Sequence, residues 1–282
     1  YGTPDLLPAA SLEIMEQYGI DVPFIDYDVY NIEAEAIGQP LVYSDHDMPD
    51  VDRAKPLIRD RADLKKIRTP DFESDGRFAC IMQMQSEFVR LTGAAPALGF
   101  CAPFSLAANI RGIEQLIFDI YGDPDFTREL FDRITEALLV PWIQYQKEKF
   151  PEAKSICGSD ATGSIPIVNP YIIKEWIIPY ILRLREMCGP GVYVPNWVGE
   201  QYLKDPQEMF DLKLQVCPGY LQGQDPDVET LGPELYKVSA EKRDVPLVLG
   251  IGAGFLALSR PEAVTDRVRH YIEAGGKNGR FA

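Results

Sequence analysis

Histidine is scarce in this chain, and basic residues are outnumbered by acidic ones. Only 2 of the 282 residues are histidine, and 28 Lys and Arg stand against 43 Asp and Glu, which gives a formal net charge of −15. Nucleic-acid binding depends on Lys and Arg that neutralise phosphates, and the sequence contains no cluster of them. An anionic membrane surface is disfavoured for the same reason. We therefore expect no nucleic-acid partner and no membrane partner.

Long hydrophobic runs and cysteine motifs are also missing. No segment reaches the roughly 18 consecutive apolar residues of a membrane span. The 5 cysteines are irregularly spaced and form neither a Cys-x-x-Cys nor a His-x-Cys motif. This pattern argues against a disulfide framework and predicts a cytoplasmic protein in a reducing compartment.

An alternation of short apolar strands and amphipathic helices runs through the chain. The predicted strands cover residues 22–25, 97–104, 153–164, 192–197, 212–219 and 246–255, and the helices between them include 78–91, 170–188, 200–210, 226–243 and 261–274. Such alternation predicts a parallel sheet with both faces covered. The late glycines Gly250, Gly252 and Gly254 have the wrong spacing for a dinucleotide-binding turn. We predict an α/β (β/α)8 TIM barrel formed by residues 1–282 as one domain, with terminal strands outside the sequence.

Polar residues follow the predicted strands at the points where the strands end. In a barrel these ends meet at one face, where active sites lie. Our candidate site collects these residues: Asp26, Asp28, Tyr30, Cys101, Ser159, Asp160, Thr162, Asn196, Trp197, Gln222, Gln224 and Gly252. Structural uses stay open for some of them, since Asp28 suits a helix cap, Cys101 a small buried residue and Trp197 a core. Asp160 has no packing use, so it is the strongest candidate.

Residues 41–77 are rich in Asp, Pro and Arg and show no helical or strand period over most of their length. We predict a long excursion that covers the top of the domain. His46 lies in this excursion between two aspartates. A solvated loop histidine is the simpler interpretation than a metal ligand.

Five segments in consistent order resemble the uroporphyrinogen decarboxylase superfamily, a (β/α)8 barrel group that also contains methyltransferases acting with corrinoid proteins. They read YGIDVPFIDYDVYNIEAEAIG (18–38), LGFCAPFSLAANIRG (98–112), SDAT (159–162), PYIIKEWIIPY (170–180), and GIGAGFL (250–256) with its helix and GGKNGRF (275–281). Each segment alone is a weak signal. Their order across most of the chain makes the resemblance in fold specific.

Departures from the family patterns indicate a branch. The catalytic aspartate of the decarboxylase would fall on or next to Asp28, but the arginine-rich segment that holds its polycarboxylate substrate has no visible counterpart, and a net charge of −15 suits such a ligand poorly. The zinc-dependent thiol methyltransferases carry His-x-Cys where this chain has Pro195, Asn196 and Trp197. That zinc site is therefore absent or built from other residues, and metal ligands stay unassigned.

The resemblance implies a methyltransferase that moves a methyl group from a methoxylated aromatic donor to a corrinoid protein. Transfer from an ether needs assistance at the leaving oxygen, by a proton or by a metal such as Zn²⁺. We assign catalytic roles to Asp28 and Asp160. Substrate-binding roles go to Asp26, Tyr30, Cys101, Asn196, Trp197 and Gln222. Among the latter, Tyr30 and Trp197 would hold a flat donor between them.

The cobalamin is expected on a partner protein, because the sequence lacks the Asp-x-His-x-x-Gly run of a corrinoid carrier. Zn²⁺ is kept as an optional cofactor, and a homodimer as a compatible assembly. The loops after Gly38 and Pro218 are expected to be mobile and partly apolar, since the partner would approach there. Two other interpretations remain open: a lyase of the decarboxylase type, and a non-catalytic paralogue that binds a corrinoid protein.

Overall fold

The computed structural model describes residues 3–21, 25, 27–44 and 48–282. The helices are α1 (Leu6–Tyr18), α2 (Ile32–Ala36), α3 (Phe78–Thr92), α4 (Pro103–Arg111), α5 (Ile113–Gly122), α6 (Pro124–Arg133), α7 (Val140–Lys149), α8 (Pro170–Ile172), α9 (Ile178–Cys188), α10 (Pro206–Val216), α11 (Asp227–Leu231), α12 (Pro233–Lys242), α13 (Ala253–Leu258) and α14 (Pro261–Gly275). The strands are β1 (Leu41–Val42), β2 (Asp50–Val51), β3 (Leu98–Cys101), β4 (Ile156–Ser159), β5 (Val192–Tyr193), β6 (Leu221–Gln224) and β7 (Leu247–Gly250).

Shorter turns connect these elements. Tight 3-10 turns cover Arg61–Lys66, Ala161–Gly163 and Glu200–Tyr202, and π-helical turns cover Ile134–Leu139 and Ile173–Ile177. The chain separates into two compact units. The first unit comprises Tyr1–Ser159 and Tyr180–Val192, and the second comprises Asp160–Pro179 and Tyr193–Ala282.

The first unit is built on the parallel pair β3 and β4. Leu98 is opposite Ile156 and Cys101 is opposite Ser159, and β5, which begins with Val192, follows β4 in the sheet order. All four residues of β3 are buried. A strand buried on both faces is what parallel sheets with helices on either side require.

The second unit is built on the parallel pair β6 and β7. Leu221 is opposite Leu247 and Gln224 is opposite Gly250. The apolar core of this unit packs helices α10, α11, α12 and α14 on the pair, through Phe210, Leu221, Val228, Tyr236, Ala240, Leu247 and Tyr271. The Tyr236 ring lies so close to β6 that a Cβ on Gly223 would meet it at 2.5 Å.

Local sequence signals set several helix boundaries. The Asp123 carboxylate accepts a hydrogen bond from the N–H of Phe126 at 3.0 Å, and Pro124 occupies the first turn of α6. In α10 the Asp205 carboxylate accepts from the N–H of Gln207 at 3.0 Å, again with a proline next in the chain. Caps of this kind satisfy N–H groups that have no partner inside the helix.

The alternating α/β fold is confirmed, and one predicted strand is wrong. Residues 212–219 alternate apolar and polar residues, but most of them lie in α10, which buries Met209, Phe210 and Val216 on its inner side. The Asp205 cap and this helical spacing override the short strand-like pattern. The strand comes later, at Leu221–Gln224, where glutamines and a glycine conceal the hydrophobic signal.

Other predictions concern the overall arrangement. Within the described residues the parallel strands form the groups β3-β4-β5 and β6-β7, so closure into a barrel stays a prediction, as does the single domain of residues 1–282. The excursion at 41–77 contains the antiparallel pair β1 and β2 and the turn at Arg61–Lys66. Most of the predicted first strand, with Asp26 and His46, lies outside the described residues. Across the part of the chain that is described, no helix is long and apolar enough to cross a membrane.

Candidate functional site

Asp28, the first predicted catalytic residue, is 2% exposed and carries three hydrogen bonds in the first unit. Its Oδ1 accepts from the N–H of Tyr30 at 3.2 Å and from Nδ2 of Asn31 at 2.9 Å. Its Oδ2 accepts from Nη2 of Arg77 at 2.8 Å, and Arg77 also donates to Glu35 at 2.5 Å. Asp28 is therefore an anchored carboxylate with a cationic partner, and its catalytic role stays a prediction.

Glu33 lies close to the predicted substrate residue Cys101. The side chain of Glu33 is 1% exposed, and its Oε1 accepts a hydrogen bond from the N–H of Cys101 at 3.0 Å. Its Oε2 has no hydrogen-bond partner within 3.5 Å among the described residues. Burial raises the pKa of Glu33 from 4.5 to about 8, against the opposing effect of the Cys101 N–H. Glu33 is therefore a largely protonated acid at neutral pH.

Two further residues predicted in this unit, Cys101 and Tyr30, have defined surroundings. The thiol-bearing residue Cys101 is fully buried at the end of β3. The carbonyl oxygen of Tyr30 accepts a hydrogen bond from Nδ2 of Asn109 at 2.8 Å. Cys101 ends β3 shortly before α4 begins at Pro103, and Tyr30 lies shortly before α2 begins at Ile32.

The second unit brings three predicted residues into direct contact. Asp160, which follows β4, has no exposed surface, and its Oδ2 accepts a hydrogen bond from Nε1 of Trp197 at 3.0 Å. The backbone N–H of Asp160 donates to Oδ1 of Asn196 at 3.0 Å. Trp197 is 1% exposed. The polar indole edge of Trp197 is thus satisfied by the carboxylate, which in turn is held in one orientation.

Gly163 leaves the space that this arrangement needs. A Cβ at Gly163 would lie 2.5 Å from Oδ2 of Asp160 and 2.9 Å from Nε1 of Trp197. Such distances are shorter than non-bonded contacts allow, so any larger residue would push the pair apart. The glycine is therefore part of the site's construction.

Gln222, also predicted to bind substrate, lies on β6 with an intermediate exposure. Its side-chain Nε2 is 3.5 Å from Oε1 of Gln224. Its carbonyl oxygen accepts a hydrogen bond from Nζ of Lys213 at 2.9 Å. At the end of β7 the N–H of Gly252 donates to Oδ2 of Asp225 at 3.2 Å.

The sequence prediction missed residues that support these groups. Arg77 lies in a segment with no period, and nothing in the sequence pairs it with Asp28. Lys213 belongs to the predicted strand 212–219, but it lies on α10 and forms a buried ion pair with Glu200. Glu33 was visible beside Asp28, but its burial on α2 could not be inferred from a run that alternates acids and alanines. Tertiary contacts, rather than local pattern, select these residues.

A metal centre needs several donor side chains grouped around one point. Among residues 3–21, 25, 27–44 and 48–282, no three or more His, Cys, Asp and Glu side chains are grouped to hold a metal ion. The two carboxylates that are predicted to be catalytic are bonded to other groups: Asp28 to Arg77, and Asp160 to the Trp197 indole. The described residues thus do not fit a zinc centre of the usual four-ligand kind.

Comparisons with known proteins agree on the kind of fold. The family model of uroporphyrinogen decarboxylase (URO-D) matches residues 1–195. Two curated proteins named uroporphyrinogen decarboxylase, from Anaeromyxobacter dehalogenans (strain 2CP-C) and Anaeromyxobacter sp. (strain Fw109-5), are each 22% identical over 193 residues, which is 65% of this chain. The matched region is 54% of each relative's length, so the chain spans about half of the curated relatives that it matches.

A solved structure is similar over nearly the whole chain. It is described as a methyltransferase from Methanosarcina mazei, and it matches with a TM-score of 0.77 at 17% sequence identity. The match covers 97% of this chain and 77% of that one. At this identity the match supports the shared fold alone.

Proposed function

Because the chain belongs to the uroporphyrinogen decarboxylase family, we propose that it is a methyltransferase that moves a methyl group from a methoxylated aromatic donor to a corrinoid protein. The observation that carries the proposal is the buried pair of Asp160 and Trp197, joined at 3.0 Å. A carboxyl group fixed beside an aromatic plane at a strand end suits a neutral, flat donor. The fold shared with a methyltransferase is compatible with this assignment.

The oxygen that loses its methyl group must be stabilised as a leaving group. The bond from that oxygen to the methyl carbon breaks while the reduced corrinoid of the partner, as the acceptor substrate, forms the new bond to the carbon. The electron pair of the broken bond stays on the oxygen, which is a poor leaving group unless it is protonated. We assign Asp160 to hold a proton at that oxygen, with Trp197 and Asn196 fixing its orientation.

Within the first unit, Asp28 is an anchored carboxylate whose cationic partner is already neutralised. Arg77 is 11% exposed and is paired with both Asp28 and Glu35. Two carboxylates on one guanidinium leave no net positive charge to attract a polyanion. This pairing favours a neutral donor over a substrate with many carboxylates.

A decarboxylase-type lyase is the second candidate. The observations that favour it are the family match over residues 1–195 and the position of Asp28 in the segment that resembles the decarboxylase. The third candidate is a paralogue that binds a corrinoid protein without turnover. Both alternatives are outcomes of the assay described below.

Cobalamin and zinc have different roles in the proposed reaction. Cobalamin belongs to the partner and is a substrate for this chain. Zn²⁺ remains an optional cofactor of the protein, and no step is assigned to it because the described residues do not group suitable ligands. Metal analysis of the purified full-length protein tests it, and zinc near one equivalent per chain would add a Lewis acid to the scheme.

The test compares acceptors, donors and one matched pair of variants. Full-length protein is incubated with a panel of methoxylated phenols, with and without a reduced corrinoid protein, and the loss of reduced-corrinoid absorbance is followed. We expect transfer only when donor and corrinoid protein are both present. Asp160→Asn should lower the rate roughly 100-fold or more, as expected when a proton donor is removed. Asp266→Asn, whose side chain is 75% exposed, should leave the rate unchanged.

Other outcomes select the alternatives. Carbon dioxide release from uroporphyrinogen without any corrinoid would replace the proposal with the lyase. Tight binding of the corrinoid protein without transfer across the whole donor panel would indicate the paralogue. A homodimer, also an expectation, is tested separately by light scattering of the same preparation.

A further inference from the structure

A buried charged cluster lies in the second unit, behind the segment that carries Asn196 and Trp197. Glu200 has no exposed surface and forms an ion pair with Lys213, which is 3% exposed. Asp227, 1% exposed, begins α11 and stands next to the same pair. Burial of three ionisable groups is costly unless each is paired and hydrogen-bonded. Such a cost indicates that the cluster has a task beyond packing.

Two members of the cluster, Lys213 and Asp227, hold backbone groups that lead to the candidate site, and Glu200 holds Lys213. Lys213 donates from Nζ to the carbonyl oxygen of Gln222 at 2.9 Å. Asp227 accepts at Oδ2 from the N–H of Gly199 at 2.6 Å and at Oδ1 from the N–H of Gln201 at 3.2 Å. Charge-assisted hydrogen bonds to backbone groups are among the stronger ones in proteins. The cluster therefore ties β6 to the turn that follows Trp197.

The opposite side of that turn is also fixed. The N–H of Val198 donates to Oγ of Ser164 at 3.2 Å, and the N–H of Ile165 donates to the carbonyl oxygen of Val198 at 3.0 Å. Gly199 has a φ of +115°, and a Cβ there would lie 2.3 Å from the carbonyl oxygen of Ile165. The turn is thus held between residues 164–165 and Asp227, and it has little freedom to move independently of either.

We infer that Glu200, Lys213 and Asp227 are positioning residues: they hold residues 196–201 against β6 and α11, and so set the position of the Trp197 indole that bonds to Asp160. The inference rests on the proposed function for its catalytic meaning, while the positioning itself is a property of this unit. None of the three residues is assigned to touch the donor. Their effect reaches the site through Gly199 and the backbone.

The cluster should respond to a single proton. Burial raises the pKa of Glu200 from 4.5 to about 7, Lys213 opposes the rise, and the adjoining Asp227 adds to it. The groups that face Glu200 are Lys213 on α10, Asp227 on α11 and Tyr236 on α12, whose own pKa is raised by burial and by these acids. Asp225 and Tyr271 also raise the pKa of Tyr236.

Two protonation states hold the turn differently. When Glu200 is protonated, it can donate a hydrogen bond to Asp227, and the two adjoining carboxyl groups no longer repel each other. Without the proton, Glu200 is held by Lys213 and repels Asp227, whose bonds to the N–H groups of Gly199 and Gln201 must adjust. The adjustment lies two residues from Trp197. Its indole N–H is therefore a reporter of the proton on Glu200.

The experiment follows the indole N–H resonance of Trp197 by NMR without any donor or partner, from about pH 5.5 to 9, with Trp197→Phe used for assignment. We expect one transition with a midpoint near 7 in the unaltered protein. Glu200→Gln should abolish the transition. Lys213→Met should raise its midpoint by at least about one unit, because the cation that lowers the pKa is removed.

The control is an ion pair on the surface of the same unit. Glu208 pairs with Lys174 at 2.6 Å with 42% of the Glu208 side chain exposed. Glu208→Gln should leave the Trp197 transition unchanged. A resonance that does not move in the unaltered protein, or a transition that persists in Glu200→Gln, would overturn the inference. Since no donor is present, this result is independent of whether the chain transfers methyl groups.

Discussion

Individual buried carboxyl groups in this chain are stabilised in two different ways. Glu33 accepts a hydrogen bond from the N–H of Cys101 at 3.0 Å and has no cation bonded to it among the described residues, whereas Glu200 shares its burial with Lys213. The first arrangement favours the neutral acid, and the second balances the two forms. Asp28 and Asp160 are predicted from sequence because each follows a predicted strand, yet the pKa of each glutamate depends on neighbours far away in the chain.

The pH dependence of stability should reveal Glu33. Its pKa is about 8 in the folded protein and 4.5 when unperturbed, so between these values the folded state binds the extra proton. Stability conferred by that proton is complete at low pH and is lost as the pH rises through 8. Between about pH 6 and 8, the unfolding free energy measured by urea denaturation should decrease by about 2 kcal/mol less in Glu33→Gln than in the unaltered protein.

A glutamate of α3 that is paired with an exposed arginine gives the control for this measurement. Glu87 pairs with Arg90, whose side chain is 67% exposed. Glu87→Gln should leave the slope of stability against pH unaltered. Equal slopes in the unaltered protein and in Glu33→Gln would show that Glu33 is ionised throughout the range.

Gly163 offers a steric test of the Asp160 and Trp197 pair. Alanine at Gly163 would place its Cβ 2.5 Å from Oδ2 of Asp160. We expect Gly163→Ala to shift the Trp197 indole resonance and to lower stability by about 1 to 3 kcal/mol, because overpacked side chains must move. Gly219→Ala, whose Cβ would meet nothing within 4 Å, should change neither quantity. An unmoved indole resonance in Gly163→Ala would contradict the geometry of the pair.

Elements in the first unit are joined by Arg77 at the start of α3. Its guanidinium contacts Asp28 ahead of α2 and Glu35 within α2, and 11% of its side chain is exposed. Three residues from separate segments thus share one charge centre. No sequence period marks this connection, because it joins a loop aspartate to a helix that begins about 50 residues later in the chain.

Replacing Arg77 should lower the unfolding free energy, because Asp28 and Glu35 lose their cationic partner. Arg77→Met leaves Asp28 and Glu35 facing each other without their partner, and we expect a loss of about 3 kcal/mol in unfolding free energy. Arg90→Met removes an exposed arginine from the same helix and should cost less than about 1 kcal/mol. Urea denaturation of both variants at neutral pH makes the comparison. Equal losses would mean that Asp28 does not depend on Arg77.

Elements also show where prediction from sequence succeeds and fails. Capped helices such as α6 and α10 have local signals, and the strands at 98–101 and 156–159 have continuous apolar runs or glycine turns that mark them. β6 has neither, since Gln222 and Gln224 occupy half of it. Its identity as a strand comes from pairing with β7, a long-range contact that a local pattern does not encode.

For the whole molecule, the order of five short segments was enough to predict the family and the α/β class. Closure of a barrel is predicted from the alternation and from the lack of a dinucleotide-binding glycine turn, and it remains a prediction because the described strands fall into separate groups. The partner is likewise a prediction. The excursion near β1 and β2 provides a direct test, since Val42, Tyr43 and Met48 there are each more than half exposed.

Hydrogen exchange should find the partner's footprint on this excursion. Backbone amides around Val42 and Tyr43 should exchange quickly in the isolated protein, because the ladder described there is two residues long. Adding a corrinoid protein should slow them several-fold, while amides at the exposed end of α14 serve as the reference. Unchanged exchange at saturating partner would mean that the partner binds elsewhere or not at all.

The conformation of Gly199 also limits how the protein could be redesigned. A library that varies residues 196–201 to accept new donors would lose most members that replace this glycine, since any side chain there collides with the carbonyl oxygen of Ile165. Val198, which bonds to Ser164 and Ile165 through its backbone, is a position where diversity can be introduced at lower cost. Directed evolution of the site should therefore keep Gly199 constant, and repeated recovery of glycine from an unbiased library would record the same constraint by selection.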